Sequence, residues 1–160
     1  MTWQLRRATP ADLDAIMAIE ERVFENDAWS RDIMAAELGD RHGHYLVAVR
    51  VDHPSDLVGY AGLRSPRGEP QADIQTIAVA EHARRQGLGR VLLQSLIAEA
   101  RDRGAAELFL EVRADNPGAQ SLYGMLGFEP IAVRPQYYQP DGVDAIVMRL
   151  EIPRPEVTVA

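Results

Sequence analysis

The segment RRQGLGRVLL, residues 84–93, is the most informative stretch of this sequence. Two glycines, Gly87 and Gly89, and three arginines stand directly before an apolar run at helical spacing. The first N–H groups of a helix have no partner within the helix and lie at the positive end of its dipole. Glycine lets the main chain approach a ligand closely, and arginine adds positive charge. The segment therefore predicts a site for a phosphate or pyrophosphate group at a helix N-terminus.

The same glycines have a second interpretation, a tight turn between a strand and a helix that needs glycine for its backbone angles alone. The preceding strand, the arginines and the amphipathic helix that follows favour phosphate binding. The segment contains no GK[ST] motif, and Leu92 stands where a dinucleotide-binding fingerprint would have its third glycine. These absences exclude two common nucleotide-binding motifs.

The hydrophobic pattern on either side of this segment predicts elements in the order β-α-α-β-β-β-α-β-α-β-β. Hairpins mixed with crossover helices predict an α+β fold, a three-layer arrangement in which helices cover both faces of a mixed central sheet. A doubly wound nucleotide-binding fold is excluded, because strands and helices do not alternate from the start. Strands are expected at 3–7, 44–50, 57–65, 72–80, 106–113, 130–138 and 143–151, and helices after the caps Thr9 and Ser30, at 88–103, and from Asn116 to Gly127.

The composition is that of a globular protein and limits the partners that we expect. A length of 160 residues suits one domain, expected at 1–152, with a loose proline-containing tail at 153–160. A net charge of −7 provides no positive field to attract nucleic acid. No apolar run approaches the roughly 20 residues of a membrane helix, and the first residues do not resemble a signal peptide. We therefore expect a cytoplasmic protein that binds neither membranes nor nucleic acid; its oligomeric state is left open.

Metal and thiol chemistry are not predicted. The sequence contains no cysteine, which excludes disulfides, cysteine-containing zinc sites and a covalent acyl-cysteine intermediate. The four histidines show no metal-ligand spacing such as HxxxH and are expected in loops or at the surface. These histidines are His42, His44, His53 and His82.

The glycine segment, together with the IAV that ends the preceding strand, resembles a known coenzyme-binding motif. The pattern [RQ]-x-x-G-x-[GA] is similar to the coenzyme A pyrophosphate loop of the GNAT superfamily of acetyltransferases, and the element order resembles that fold over nearly the whole chain. The resemblance implies acetyl-coenzyme A (acetyl-CoA) as co-substrate, with the strand backbone pairing with the pantetheine arm and loop N–H groups binding the pyrophosphate. The implied coenzyme-binding residues are Ile77, Ala78, Val79, Arg85, Gln86, Gly87, Leu88, Gly89 and Arg90.

A later segment, LEVRADNPGAQSLYGMLGF at residues 110–128, resembles bacterial ribosomal-protein N-terminal alanine acetyltransferases of the RimI type. The resemblance implies that Glu111 is the general base and that Tyr123 is the general acid, close to the coenzyme. It also implies that Asn116 contacts coenzyme A. The segment YYQPDGVDAIVM at residues 137–148 resembles the paired tyrosines and following strand of the same family.

Two of these residues also have purely structural interpretations. Glu111 could pair with Arg113 or Arg149 at the end of a strand instead of accepting a proton. Asn116 could act only as a helix cap, or it could cap the helix and contact the coenzyme.

The tyrosines have structural alternatives of their own. Tyr123 could pack in the core beside Leu122 and Leu126, and near the coenzyme its hydroxyl could either donate a proton to the sulfur or only hydrogen-bond it. Tyr137 and Tyr138 should face opposite sides if their strand is regular, so we expect one in the core and Tyr138 over the acceptor groove.

The acceptor side is the least defined part of the sequence. Glu20 and Glu21 near the end of the first helix, together with Asp144, are candidates for attracting a cationic acceptor, although exposed acids on a helix are commonly only solvated. The related family often has a proline before the tryptophan that precedes its second helix, whereas this chain has Ala28. The segments at 25–28 and 54–56 are also individual and, by resemblance, should line the acceptor side. These differences leave the identity of the acceptor open, but they do not affect the expected acetyl-transfer chemistry.

Three functions are compatible with these residues. The first is direct acetyl transfer, in a ternary complex, from acetyl-CoA to a protein N-terminal α-amine, such as the alanine of a small-subunit ribosomal protein. An α-amine has a pKa of about 8, against about 10.4 for lysine, so it is already partly neutral near pH 7. The second is a lysine or small-molecule amine acetyltransferase on the same fold. The third is a non-catalytic acetyl-CoA-binding module, which should lack a base or an acid; Glu111 and Tyr123 are both present.

Overall fold

The computed structural model describes residues 2–153, so the predicted tail at 153–160 lies outside the described residues apart from Pro153. Within them, seven strands and four helices follow the predicted order. The strands are β1 (Trp3–Arg7), β2 (Gly43–Arg50), β3 (Leu57–Arg64), β4 (Gln71–Val79), β5 (Glu107–Arg113), β6 (Glu129–Tyr138) and β7 (Val143–Glu151). The helices are α1 (Leu13–Val23), α2 (Arg31–Leu38), α3 (Leu88–Asp102) and α4 (Pro117–Met125), with short 3-10 turns at Pro10–Asp12 and Glu81–Ala83.

Local capping explains why α2 and α4 begin where the sequence predicts, whereas a 3-10 turn at Pro10–Asp12 separates the expected cap Thr9 from the start of α1 at Leu13. The Ser30 hydroxyl accepts a hydrogen bond from the N–H of Ile33 at 3.2 Å, and the Asn116 side chain accepts one from the N–H of Ala119 at 3.1 Å. The predicted strands agree with the observed ones to within one residue at each end. Helix α4 differs, because it ends at Met125, before the predicted stop at Gly127.

The seven strands form one sheet in the order β1-β2-β3-β4-β5-β7-β6. All neighbouring strands are antiparallel except β4 and β5, which run parallel. This parallel pair is short, since its register covers only Gln71 to Asp73 on β4 and Glu107 to Phe109 on β5. Beyond these residues the two strands have no hydrogen-bonded partner on their facing edges, which opens a gap in the middle of the sheet.

A β-bulge lies in β4 just beyond the paired segment. The register with β3 moves from Leu63↔Ile74 to Gly62↔Thr76, so Gln75 has no partner on β3. One extra residue reverses the face that each following side chain takes. In the half of β4 that borders the gap, each side chain therefore faces the side of the sheet opposite to the one that regular alternation along the strand predicts.

Helices cover both faces of the sheet, as the sequence predicts. On one face α3 and α4 pack over the sheet, with Leu92, Leu93 and Leu96 of α3 fully buried. On the other face α1 and α2 bury Ile16 and Met34 against the sheet. The fold is thus a three-layer α+β structure with a mixed central sheet.

One histidine is not where the sequence predicts. His44 lies in β2 with its side chain only 12% exposed, 3.7 Å from a carboxylate oxygen of Glu99, and burial lowers its pKa. It is largely shielded from solvent, because β2 is an interior strand of the sheet. His53 and His82 are exposed, as expected. Between residues 2 and 153 no group of three or more acidic or histidine side chains is arranged to hold a metal ion, and no helix is long and apolar enough to cross a bilayer.

Candidate active site

The gap between β4 and β5 forms a cleft of about 1310 Å³. On one side, residues 77–79 of β4 pair with residues 59–61 of β3, so their opposite edge faces the cleft without a neighbouring strand. An unpaired strand edge offers main-chain N–H and C=O groups that need partners. This wall can bind an extended ligand that carries amide groups.

The glycine segment curves around the same end of the cleft. Arg85 and Gly87 both have left-handed backbone conformations, with φ of +63° and +78°. Gly87 precedes α3 and supplies no side chain to its first N–H groups, which stay available to a ligand. The guanidinium of Arg84 donates to the carbonyl oxygen of Val79 at 3.0 Å and ties the segment to β4. These features fit a pyrophosphate group.

Most residues predicted to bind the coenzyme lie on this cleft. Gly89 has a packing role as well, because a Cβ at this position would lie 3.3 Å from the side chain of Leu122 on α4. Gln86 is exposed and does not line the cleft. The predicted residues that line it are Ile77, Ala78, Val79, Arg85, Gly87, Leu88, Gly89, Arg90, Asn116 and Tyr123.

Tyr123 is packed in the core and also borders the cleft. Its ring is buried and packs edge-on against Phe128, with ring centroids 6.0 Å apart. It also lines the cleft. Burial raises the pKa of the phenol to about 12, so the hydroxyl keeps its proton throughout the neutral range.

Glu111 lies on β5 at the opposite wall of the cleft and is partly exposed. Its carboxylate pairs with the guanidinium Nε of Arg134 on β6 at 3.1 Å. The two partners considered from the sequence are engaged elsewhere, since Arg149 pairs with Glu107 and Arg113 pairs with other carboxylates. The carboxylate therefore keeps an ion pair and still faces the cleft.

The two tyrosines of β6 do not alternate, because the strand is irregular there. The register with β7 moves from Arg134↔Ala145 to Tyr138↔Val143, and Gln136 has a φ of +52°. The rings of Tyr137 and Tyr138 contact each other edge-on, with centroids 5.1 Å apart. Tyr137 is 48% exposed, so the expectation of one core tyrosine is wrong. Tyr138 lines the cleft, where its role stays a prediction.

Glu111 also affects Tyr137. The nearby Glu111 carboxylate raises the pKa of the Tyr137 phenol, because its acceptor oxygens and negative charge favour the protonated hydroxyl. The Arg134 guanidinium of β6 thus orients the carboxylate by an ion pair, and Tyr137 of the same strand lies close to it.

The two acidic candidates for acceptor binding are placed differently from the expectation. Glu20 is only 2% exposed; it accepts hydrogen bonds from the Tyr60 hydroxyl and, at 3.0 Å, from the N–H of Trp29. Burial raises the pKa of its carboxyl group. The expectation of an exposed acid at Glu20 is wrong, although the residue borders the cleft. Asp144 accepts from the N–H of Gln136 at 2.9 Å and does not line the cleft, so it supports the irregular part of β6.

A charged cluster that borders the cleft is not apparent from the sequence. The guanidinium of Arg113 lies 3.4 Å from Asp27, 3.0 Å from Asp115 and 3.1 Å from Asp141. These carboxylates come from three separate segments, and no spacing in the sequence relates them. Residues 25–27 line the cleft, as the resemblance implies, whereas residues 54–56 do not.

Comparison with known proteins agrees with this geometry. Residues 12–128 match the family described as "Acetyltransferase (GNAT) family". The chain is 39% identical over 146 residues to the uncharacterized protein ML0378 of Mycobacterium leprae, covering 89% of this chain and only 39% of that protein. It is 38% identical over 143 residues to the ribosomal protein bS18-alanine N-acetyltransferase of Escherichia coli (strain K12), covering 88% and 92% of the two chains. The crystal structure of the ribosomal-protein-S18-alanine N-acetyltransferase from Escherichia coli superimposes with a TM-score of 0.82 at 31% identity, covering 99% of each chain.

Proposed function

The chain belongs to the acetyltransferase (GNAT) family, and from this premise we propose that it transfers acetyl directly from acetyl-CoA to a protein N-terminal α-amine. The first candidate acceptor is the N-terminal alanine of a ribosomal protein, because similar enzymes are named for that substrate. One observation carries the proposal. The cleft has an open strand edge and a helix N-terminus on one side, and Glu111 and Tyr123 line the same space.

The coenzyme side binds and orients the thioester. The free edge of residues 77–79 would pair with the pantetheine amides, and the N–H groups that begin α3 would bind the pyrophosphate. Arg85 and Arg90 add positive charge beside it. Asn116 has its side-chain oxygen engaged as a helix cap, which leaves its amide N–H₂ group free to contact the coenzyme.

The reaction needs a neutral amine, because the nitrogen lone pair attacks the thioester carbonyl. An N–C bond forms, the C–S bond breaks, and the amine nitrogen loses a proton. Glu111 accepts this proton, through a water where the distance requires one. An α-amine with a pKa of about 8 is already partly neutral near pH 7. The carboxylate therefore needs only to accept the proton that the nitrogen releases as the N–C bond forms.

Tyr123 stabilises the leaving sulfur by donating a hydrogen bond. Complete proton transfer from a phenol of pKa about 12 to a thiolate whose conjugate acid has a pKa of about 8.5 is uphill by roughly 5 kcal/mol. A hydrogen bond that strengthens as the C–S bond breaks avoids this cost. We therefore assign Tyr123 to sulfur stabilisation, and the thiol acquires its proton from solvent after it leaves.

Two acceptor peptides test the proposal. One carries a free N-terminal alanine and no lysine; the other has a blocked N-terminus and one internal lysine. Mass spectrometry after incubation with the protein and acetyl-CoA should show acetylation of the first peptide only. Acetylation of the second alone would assign the protein to lysine acetylation. Acetylation of neither, with tight acetyl-CoA binding, would leave a small-molecule acceptor or a binding module, which a panel of free amines would separate.

A further inference from the structure

The charged cluster around Arg113 has no role in the chemistry proposed above. Arg113 ends β5, two residues beyond Glu111, so both side chains project from the same face of the strand. Its guanidinium reaches the α1–α2 loop (residues 24–30) through Asp27 and the β6–β7 turn (residues 139–142) through Asp141. It also contacts Asp115, just after β5. One side chain beside the proposed base thus joins both segments that border the acceptor end of the cleft.

Further contacts reinforce this junction. The Asn26 amide donates to both carboxylate oxygens of Asp141, at 3.1 and 3.2 Å, and so links the α1–α2 loop directly to the β6–β7 turn. The Tyr138 ring lies beneath the guanidinium, with its centroid 5.2 Å from the Arg113 Cζ. Within residues 2–153, no backbone hydrogen bond joins the two segments. Their relative position therefore depends on side chains, with Arg113 at the centre.

The cluster is shielded enough for these contacts to matter. The Arg113 side chain is 20% exposed, and those of Asp27 and Asp141 are 16% and 31% exposed. Charge pairs that are partly removed from water are screened less than surface pairs. Arginine suits this position, because its planar guanidinium can donate in several directions at once, whereas lysine offers a compact point charge.

We propose that Arg113 is a positioning residue that holds the α1–α2 loop and the β6–β7 turn together across the acceptor end of the cleft. The fixed walls align the acceptor amine with the thioester and set the space open to the first side chain of the acceptor. The role in alignment rests on the proposed function; the role in holding the two segments does not. A shift of about 1 Å in such walls can reduce a rate about a hundredfold, because attack needs a close and aligned approach.

The test compares Arg113→Gln with Arg149→Gln. Arg149 is a matched control, an arginine on the neighbouring strand β7 that pairs with Glu107 away from the cleft. Amide hydrogen exchange, measured without substrates, should become at least about threefold faster in residues 24–30 and 139–142 of Arg113→Gln. Arg149→Gln should exchange like the wild type in both segments. This readout does not depend on which acceptor the enzyme uses.

Kinetics with peptides that begin with alanine or leucine then test alignment. For Arg113→Gln, kcat/KM for the alanine peptide should fall about tenfold to a hundredfold, and the preference for alanine over leucine should weaken. The KM for acetyl-CoA should stay within about twofold, and Arg113→Lys should recover part of the loss. Asp141→Asn removes one partner of Arg113 in the β6–β7 turn and should lower the same kinetic parameters less strongly. Because this change lies in a turn, it keeps the test valid if the arginine variants misfold.

The outcomes are distinguishable. Unchanged exchange in both segments of Arg113→Gln would overturn the proposal, whatever the activity. Faster exchange with unaltered acceptor kinetics and selectivity would also overturn it, since the segments would then not position the acceptor. If the wild-type protein acetylates no α-amine, the proposed function fails, and the exchange comparison alone decides whether Arg113 holds the two segments.

Discussion

The two sides of the cleft are built from different parts of the chain. The proposed coenzyme side comes mainly from one continuous stretch, residues 77–90, which offers main-chain groups, a strand edge and a helix N-terminus; Asn116 and Tyr123 add to it from the α4 segment. The proposed acceptor side is assembled by side chains from α1, the α1–α2 loop, β5 and the β6–β7 turn. Main-chain groups suit the binding of a ligand that never varies, such as acetyl-CoA. Side chains can be substituted, so a site built from them can be adapted to a particular acceptor. Substitutions should therefore affect one side without the other.

The largest effect is expected for Glu111→Gln. Gln keeps the shape of the side chain but cannot accept the amine proton, so kcat should fall about 10²- to 10⁴-fold. Acetyl-CoA affinity, measured by calorimetry, should change by less than about twofold, because the coenzyme side is intact. Glu107→Gln is the control, a glutamate on the same strand and face but away from the cleft. A wild-type rate for Glu111→Gln would remove Glu111 from the chemistry.

Tyr123→Phe should have the next largest effect, because Tyr123 lies where the two sides meet. Loss of the hydroxyl should lower kcat about tenfold to a hundredfold, with a smaller change in acetyl-CoA affinity. Since the phenol has a pKa of about 12, it keeps its proton from pH 6 to 9. The ratio of wild-type to variant kcat should therefore be constant over this range. An unaffected rate would leave Tyr123 as a core residue packed on Phe128.

Gly87→Ala tests the coenzyme side alone. A left-handed φ of +78° costs a residue with a Cβ about 1–2 kcal/mol, and a Cβ here would meet nothing within 4 Å. If the segment relaxes to relieve this strain, acetyl-CoA affinity should fall about tenfold, while kcat at saturating acetyl-CoA should stay near wild type.

Gly68→Ala is the matched control for that experiment. Gly68 has a φ of +85°, also has open space around its Cβ position, and does not line the cleft. It should show a similar backbone cost in thermal unfolding without any loss of affinity. Equal affinity losses in both variants would mean that the glycine segment has no special relation to the coenzyme.

The contrast between the two sides also explains what the sequence could predict. The strand, the glycines and the cap at Asn116 are local features, so their positions followed from spacing and propensity. The partners of Arg113 could not be predicted, because Asp27 and Asp141 meet it only after the sheet has formed. The expectation that Tyr137 lies in the core was wrong because an irregularity in β6, stabilised by Asp144, interrupts the alternation of the strand.

The burial of Glu20 was not predicted, for a related reason. A glutamate near the end of a helix is usually exposed, but the Tyr60 hydroxyl and the N–H of Trp29 provide hydrogen bonds that make burial possible. Neither partner is near Glu20 in the sequence. Such a buried carboxylate is recognisable only once the neighbouring strand and loop are in place.

The smallest effect is expected for Glu20→Gln, and it concerns stability instead of catalysis. Burial raises the carboxyl pKa in the folded state above its ordinary value of 4.5. The folded state therefore binds this proton more tightly than the unfolded state, and the resulting stability is present at low pH and lost as pH rises through the folded-state pKa. Gln has no such proton to lose and can still accept the hydrogen bond from Trp29. Relative to the variant, the wild-type free energy of unfolding should fall as pH increases from about 4.5.

Urea unfolding of both proteins between pH 4.5 and 9, followed by circular dichroism, measures this difference. The exposed neighbour Glu21 provides the control, and Glu21→Gln should give a curve parallel to the wild type. Acetyl-CoA affinity should be the same in all three proteins, because Glu20 anchors the loop of the acceptor side to the sheet. A pH-independent difference between wild type and Glu20→Gln would mean that the carboxyl group titrates as it does in the unfolded chain. A loss of coenzyme affinity would show that the two sides of the cleft are not independent.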